Sequence, residues 1–439
     1  MRWHAEGRIK DGVLRHPADS PAWSAIDNRY EDIRGDPRSL RLAISADGVD
    51  VNRGNRHHSV WPVLAVIYNL PPSLCMRRRF IMLTLLIDGT PGNDIDVYLA
   101  PLVEDLKMLF EIGVDTYDAF THERFRLRAV VLWTINDYPA LGTLCGCPYS
   151  GFKGCVVCRE ETACVRLKRS NKQSYSGHRR YLPYNHPFRK QKKAFDGKEE
   201  KRAPPKIKTG EEVYNEVQHV INTWGKAGQK INDHASDDIP ETSTGGVGRL
   251  KKKGTSEKVT KEKPYCKKFN IWHKELEYWR FNPVNHCIDF MHIEKNVAES
   301  LVGTLLNMNN KTKDGLESRQ DLCDMGIRPE LQPKYNGNTT TLPPASYTLT
   351  TAEKDKFCET LYNLRVPQGY CSNFSSLVIL KERKLIGLKS HDYHMLMQQF
   401  LPLAIRSIMP TPTRHAIIRL LSTFFLCNQI SVTVSYHNS

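Results

Sequence analysis

Apolar and polar positions in the first half of the chain follow two different periods. Three short apolar runs, at residues 39–49, 59–71 and 79–89, are rich in β-branched and aromatic residues and predict strands. A fourth run at 124–137 predicts a largely buried strand. Between the third and fourth runs, apolar residues recur at helical spacing, and Gly113 is expected to end that helix. The apolar helical positions are Ile95, Leu99, Leu102, Val103, Leu106 and Leu109.

The predicted order of elements, β-β-β-α-β, favours an α/β fold. Three sequential strands, a helix and a returning strand form a mixed sheet with a helix on one face. This is also the order of an RNase H-like core. In that topology the first and fourth strands are neighbours.

The second half of the chain has a different character. After a segment rich in Lys and Glu, helical periodicity predominates from residue 270 onward. We therefore expect a disordered basic linker followed by a mostly α-helical insertion. The predicted divisions are a lead-in at 1–38, the first part of the core at 39–144, a Cys/His zinc element at 145–188, the basic linker at 189–264 and the helical region at 265–439, with a truncated C-terminus.

The charge balance points to a polyanionic partner. The chain carries 63 Lys and Arg against 48 Asp and Glu, a formal net charge of +15, which favours nucleic acid. No apolar run reaches the roughly 18–20 residues needed to cross a bilayer, and the N-terminus lacks a secretory pattern. We therefore expect no membrane partner and a nuclear or cytosolic location in which thiols stay reduced.

Two aspartates occupy equivalent positions in this pattern. Asp47 closes the first predicted strand and Asp137 closes the fourth. If these strands are neighbours, the two carboxylates face each other and repel unless a divalent cation lies between them. Carboxylate oxygens suit Mg²⁺, which supports phosphodiester chemistry. The commoner interpretation from spacing alone is that both aspartates simply form turns.

Four of the twelve cysteines cluster within a short segment beyond the fourth strand. In a reducing compartment, clustered cysteines favour a metal over disulfides. Cys155 and Cys158 form a C-x-x-C pair, which predicts two ligands of a structural Zn²⁺. The residues considered for the remaining ligands are Cys145, Cys147, His178, His186, His292, His391 and His394.

A further polar group occurs in the predicted helix around residue 290. Asp289, His292 and Lys295 fall on one face of it. Such a face fits either a metal or phosphate site or a structural polar network, and the network is the commoner of the two. Phosphate-binding P-loops, dinucleotide-binding G-x-G-x-x-G and G-x-S-x-G are absent from the sequence, so NTPase, dehydrogenase and α/β-hydrolase functions have no support.

Several strings together resemble the transposases of plant CACTA (En/Spm-type) elements. They run in family order from residue 1 to about 410, far more specifically than any single motif. Among them are MRWHAEGRIKDGVLRHPADSPAW, LRLAISADG, PGNDIDVYLAPLVEDL, RLRAVVLWTINDYPALG, GHRRYLPYNHPFR, CIDFMHIEKNVAESLVGTLLN and GLKSHDYHMLMQQFLPLAIR.

The resemblance implies a DDE-type, Mg²⁺-dependent nuclease and strand transferase on an RNase H-like fold. It would act in the nucleus on the double-stranded terminal repeats of a transposon, as a homo-oligomer. Asp47 and Asp137 match the first two catalytic acids. By resemblance to related transposases, His391 and His394 are the preferred partners of Cys155 and Cys158 at zinc.

The sequence departs from the family pattern at its third acid. The glutamate expected within a Y-P-x-E-R-like segment has no counterpart before Ser439. The upstream cysteine-rich DNA-binding part of the family is also missing before Met1, so truncation at both ends is expected. Without the third acid, cleavage is expected to be weak or absent unless Glu294 or Glu317 substitutes. The alternative function is a non-catalytic DNA-binding remnant or a domesticated regulator.

Overall fold

The computed structural model describes residues 1–52, 58–192, 194–225, 264–367 and 370–429. Half of the predicted basic linker, at 226–263, lies outside the described residues, as do the last ten positions. The described part of 189–264 begins at the end of a short helix, Pro187–Lys190, and contains a second helix, Gly210–Val217, with irregular backbone between them. The predicted disorder of the remainder stays a prediction.

The N-terminal half contains seven strands and six helices among its described residues up to position 145. The helices are α1 (Trp3–Glu6), α2 (Pro21–Arg29), α3 (Glu31–Gly35), α4 (Pro72–Cys75), α5 (Ile95–Glu111) and α6 (Tyr138–Cys145). The strands are β1 (Leu40–Ala46), β2 (Val49–Asp50), β3 (Ser59–Ile67), β4 (Ile81–Asp88), β5 (Val114–Asp118), β6 (Glu123–Leu127) and β7 (Ala129–Asn136).

The rest of the described chain is mostly helical. Its helices are α7 (Pro187–Lys190), α8 (Gly210–Val217), α9 (Ile271–Glu275), α10 (Phe290–Leu305), α11 (Leu316–Asp324), α12 (Thr351–Tyr362), α13 (Phe374–Leu377), α14 (Ser390–Met395), α15 (Leu401–Ala404) and α16 (Thr411–Gln429). Its strands are β8 (Cys164–Arg166), β9 (Gln173–Tyr175), β10 (His286–Ile288), β11 (Lys334–Asn336), β12 (Thr339–Thr341), β13 (Val378–Ile379) and β14 (Lys384–Leu385).

One six-stranded mixed sheet organises the first half. The order is β10-β7-β1-β3-β2, and β4 also pairs with β3. Strands β1, β7 and β10 are parallel to one another, whereas β3 is antiparallel to both β1 and β4. The prediction of a mixed α/β sheet in which the first and fourth runs are neighbours is therefore confirmed.

The core of this half lies around the central strand β7, which is buried along almost its whole length. Its apolar side chains are covered by α5, which contacts β7 and β4. The predicted helical positions Ile95, Leu99, Val103 and Leu106 are indeed buried in that core. Gly113 follows the helix with a positive φ of 76°, in agreement with its predicted role.

The structure differs from the predicted elements at three places. The run at 124–137 is divided, because its first part pairs with β5 as the hairpin β5–β6 and only Ala129–Asn136 enters the sheet. The segment His286–Ile288 falls in the region that is predicted to be helical from residue 270 onward, but it forms the edge strand β10. The predicted lead-in forms α1 to α3, and Trp23, Ile26 and Ile33 are buried in the main core.

A separate apolar cluster occupies the helical region. It is formed mainly by α10, α12 and the segment from α14 to α16, where a π-helical turn at Leu396–Phe400 joins α14 to α15. None of the helices in the described ranges combines the length and the apolar character needed to cross a bilayer.

Candidate metal centre at the carboxyl edge of the sheet

Strand register places the two predicted aspartates side by side. Ser45 of β1 is paired with Ile135 of β7, and each aspartate follows its paired residue by two positions. Because the strands are parallel, Asp47 and Asp137 emerge at the same edge. The sequence prediction that these two residues meet is confirmed by their geometry.

Buried backbone contacts hold this edge together. The Asn136 side chain, which is buried, donates a hydrogen bond to the Ala46 carbonyl at 2.6 Å. The Asp289 N–H donates to the Asn136 carbonyl at 2.7 Å, just beyond β10. The three parallel strands are thus linked at the positions immediately preceding Asp47, Asp137 and α10.

A third ligand atom joins the two carboxylates from α10. Ligand atoms of Asp47, Asp137 and His292 all lie within 4.8 Å of one another. His292 Nε2 lies 4.0 Å from Asp137 Oδ2. This is the only such group of three or more His, Cys, Asp or Glu residues among those that the structure describes.

Two of the acidic residues at this edge, Asp137 and Asp289, also cap helices. Asp137 is the N-cap of α6, and its Oδ1 accepts a hydrogen bond from Ala140 N at 2.8 Å. Its Oδ2 remains directed toward His292. Asp289 caps α10 by accepting from Met291 N and His292 N. These caps fix the orientation of the side chains before any cation binds.

The electrostatics of the edge favour a cation. The pKa of Asp47 is raised above its usual value. The largest cause is desolvation by nearby protein atoms, and the second is the negative charge of Asp137. Asp289 adds to this effect, whereas the Gly48 N–H and His292 act against it. A divalent cation at this position would remove the repulsion.

The donor set, two carboxylates and one imidazole, fits a divalent metal ion. Carboxylates suit Mg²⁺ and Mn²⁺, and imidazole shifts the preference toward Mn²⁺ and later transition metals. From the sequence alone, His292 is predicted only as a member of a polar helical face and as one of several candidate zinc ligands. The missing signal was β10, because that short strand brings the start of α10 to the edge.

The predicted zinc ligands do not meet in the described residues. Cys158 N donates to Cys155 Sγ, and Cys158 Sγ lies 3.1 Å from the Tyr181 hydroxyl. His394 instead contacts the buried carboxylate of Glu294, and His391 contacts the Tyr370 carbonyl. Because neither histidine joins the cysteines, the structure does not support that ligand set, and zinc at Cys155 and Cys158 stays a prediction.

The two glutamates considered as substitutes for a third acid are also elsewhere. Glu294 is fully buried and directed at His394, on the part of α10 that packs against α14. Glu317 lies in the first turn of α11 and is exposed. Neither belongs to the group formed by Asp47, Asp137 and His292.

Fold and site together define a mixed α/β protein with a candidate divalent-cation centre at the carboxyl edge of its sheet. Residues 11–220 match the model of the transposase family tnp2, so this part of the chain is similar to that family. The match includes Asp47 and Asp137 and ends before His292. A search of curated proteins found no match.

The repulsion at Asp47 predicts a pH-dependent stability. In the absence of metal ions, Asp47→Asn is expected to raise the melting temperature at pH 7. The pKa of Asp47 is higher in the folded state than in the unfolded state, so ionisation of Asp47 disfavours folding. This destabilisation is fully present above the folded-state pKa and absent below the unfolded-state pKa. The gain should therefore vanish on acidification below about pH 4.

Thermal unfolding in EDTA across this pH range measures the effect. Asp105→Asn, an exposed change on α5, serves as the matched control and should leave the melting temperature unchanged. A lower melting temperature of Asp47→Asn than of the wild type at pH 7 would contradict the prediction.

Proposed function

We propose that this chain is a transposase-derived, DNA-binding protein whose Asp47–Asp137–His292 centre binds a divalent cation. The observation that carries the proposal is the convergence of these three residues at one sheet edge, with two of them inside the part of the chain that matches the transposase family. The strand order supports an RNase H-like core. The five principal strands, in chain order, are β1, β3, β4, β7 and β10. Across the sheet they lie in the order β4-β3-β1-β7-β10, which is third, second, first, fourth, fifth.

DNA is the proposed partner because charge and family agree. The net charge of +15 favours a polyanion, and a transposase domain acts on DNA. The finer assignment is to the CACTA type, acting in the nucleus on transposon ends. The sequence resemblance supports this assignment.

The residues of the centre have separable roles in this proposal. Asp47 and Asp137 would hold the cation through one carboxylate oxygen each, and α6 and α10 would fix the directions of Asp137 and His292. A bound divalent cation supplies a Lewis acid that offsets the charge of a phosphodiester. Mn²⁺ is expected to bind more tightly than Mg²⁺ because one donor is imidazole nitrogen.

The ligands of this centre also lead us to expect that the protein cleaves DNA only weakly. Two-ion phosphodiester chemistry needs enough negative ligands to hold both ions about 3.5–4 Å apart. The group in the described residues contains only two carboxylates. This observation supports the second candidate function, a DNA-binding regulator that retains metal binding without efficient cleavage.

A paired DNA assay tests both candidates. Binding to a fluorescent 30-base-pair duplex is measured at low and moderate salt, and nicking of supercoiled plasmid is measured with Mn²⁺, Mg²⁺ or EDTA. Mn²⁺-dependent nicking that disappears in Asp47→Asn and Asp137→Asn but persists in Asp105→Asn would establish the enzyme. Salt-sensitive binding without nicking would establish the regulator. A chain that binds neither duplex nor Mn²⁺ would exclude both functions.

A further inference from the structure

Two cysteines that are distant in sequence are in direct contact beyond the C-terminal end of α6. Cys147 Sγ and Cys266 Sγ lie 2.7 Å apart, although 119 positions separate the residues. Both thiols are free and buried, with Cys147 at 8% and Cys266 at 1% relative exposure. We propose that this pair is a redox site, which a peroxide converts into a reversible intramolecular disulfide.

The backbone already holds the two segments side by side. Lys267 N donates to the Gly146 carbonyl at 2.7 Å, so the residues adjoining both cysteines are hydrogen-bonded. Asn270 Nδ2 donates to the Cys145 carbonyl at 3.2 Å and extends the contact. A disulfide requires an S–S distance of about 2.05 Å and close Cα atoms. The sulfurs therefore need to approach by only about 0.7 Å, a shift within reach of side-chain rotation.

The charge beside the pair favours a thiolate over a bound metal ion. Arg159 Nη2 lies 3.8 Å from Cys266 Sγ, and its guanidinium is stacked over the Tyr265 ring at 4.6 Å. A fixed cation at that distance opposes a second cation on the same sulfur. The described residues near the pair also lack a complete cluster of three metal-ligand atoms. The geometry thus distinguishes this site from the zinc pair predicted at Cys155 and Cys158.

The pKa values of the two cysteines are shifted in opposite directions. The hydrogen bond from Cys147 lowers the pKa of Cys266, and the Arg159 charge adds to this against the opposing effect of burial. Hydrogen bonds with Cys145 and Cys266, together with burial, raise the pKa of Cys147. The proton therefore stays on Cys147, and Cys266 provides the nucleophilic sulfur.

The oxidation is balanced with hydrogen peroxide as the oxidant. The Cys266 thiolate attacks one peroxide oxygen, an S–O bond forms as the O–O bond breaks, and hydroxide leaves. Cys147 sulfur then attacks the Cys266 sulfenic acid, and the S–S bond forms as the S–O bond breaks. The departing hydroxide takes the Cys147 proton. The proton that Cys266 releases when it ionises neutralises the first hydroxide, so in total two thiols and one peroxide give one disulfide and two waters.

The position of the pair gives the crosslink a consequence for the metal centre. Cys147 follows α6, the helix that Asp137 caps, and Cys266 begins the segment that leads through α9 to β10 and α10. A disulfide here would covalently join the two stretches of chain that supply Asp137 and His292. Oxidation is therefore expected to restrict the movement of Asp137 relative to His292.

Peptide mapping of the full chain tests the proposal. Reduced protein is treated with hydrogen peroxide, denatured, alkylated with iodoacetamide and digested for mass spectrometry. The expected product is a dithiothreitol-sensitive peptide pair that links Cys147 to Cys266 within one chain, together with a higher melting temperature. Both effects should be lost in Cys147→Ser and Cys266→Ser and retained in Cys358→Ser, which removes another buried thiol.

Three outcomes would overturn the proposal. The first is recovery of both cysteines as alkylated free thiols after oxidation, and the second is preferential pairing of either one with Cys145, Cys155 or Cys158. The third is metal bound by the reduced chain and lost in both serine variants. The wild-type peptide map alone decides the first two, so the test does not depend on folding of the variants.

Discussion

Asp137→Asn is expected to lower the affinity of the protein for Mn²⁺ by more than about 100-fold, a larger loss than results from replacing residues that only support the ligands of a metal site. The replacement removes one of the two negative charges at the centre while preserving the side-chain shape. Asparagine can still accept the hydrogen bond that caps α6, so the helix should remain in place. The expected loss therefore reports on charge at the centre and not on unfolding.

Isothermal titration with Mn²⁺, and with Mg²⁺ for comparison, measures the loss. Asp105→Asn is the charge-matched control on the exposed face of α5 and should bind as the wild type does. His292→Ala should weaken Mn²⁺ more than Mg²⁺, because the imidazole selects between them. Equal Mn²⁺ affinity in Asp137→Asn and the wild type would show that the sheet edge is not the binding site.

Lys268→Met is expected to destabilise the fold by about 3–5 kcal/mol. Lys268 is completely buried, and its Nζ lies 2.6 Å from Asp96 Oδ1, which is buried at the start of α5. Asp96 Oδ2 also accepts from Ile271 N. Removing the lysine leaves a buried carboxylate without its counter-charge, which costs more than the loss of a contact.

A second lysine provides the matched control for this ion pair. Lys107 on α5 and Glu275 on α9 join the same part of the molecule, but both are partly exposed. Because solvent screens that pair, Lys107→Met should change the free energy of unfolding by about 1 kcal/mol or less. Urea unfolding of both variants gives the comparison. Similar losses in the two variants would contradict the buried-charge explanation.

The pH dependence of Lys268→Met gives an independent check. Burial raises the pKa of Asp96, while Lys268 and the Ile271 N–H act to lower it. Without Lys268, protonation of Asp96 becomes easier and removes the uncompensated charge. The destabilisation relative to the wild type should therefore shrink as the pH falls. An unchanged difference across the acid range would assign the loss to packing instead.

Local patterns predicted those elements of the fold that carry many apolar residues. Strands β1, β3 and β4 could be identified from short apolar runs, and helix α5 could be identified from apolar residues at helical spacing. Strand β10 could not, because three residues carry no measurable period and its partner, β7, lies about 150 positions earlier in the chain. The hairpin β5–β6 was missed because its residues are mostly polar and partly exposed.

The candidate site could be predicted only where its residues belong to elements that the sequence identifies. Asp47 and Asp137 end strands that the sequence identifies, so their meeting followed from topology. His292 depends on β10, and so its place in the centre required the structure. The Cys147–Cys266 contact could not be predicted, because C-x-x-C spacing singled out Cys155 and Cys158, whereas Cys147 and Cys266 lie in segments that only the fold brings together.

The Asn136 side chain that bridges to Ala46 has a consequence for how the sheet can assemble. Successive residues of a strand face opposite sides, so a slip of one position between β1 and β7 would exchange Asn136 and Asp137. An ionised carboxylate would then be forced against the Ala46 carbonyl, where an amide donor now fits. The asparagine thus favours the native alignment, since a slip that brings Asp137 to this position sets two acceptors against each other.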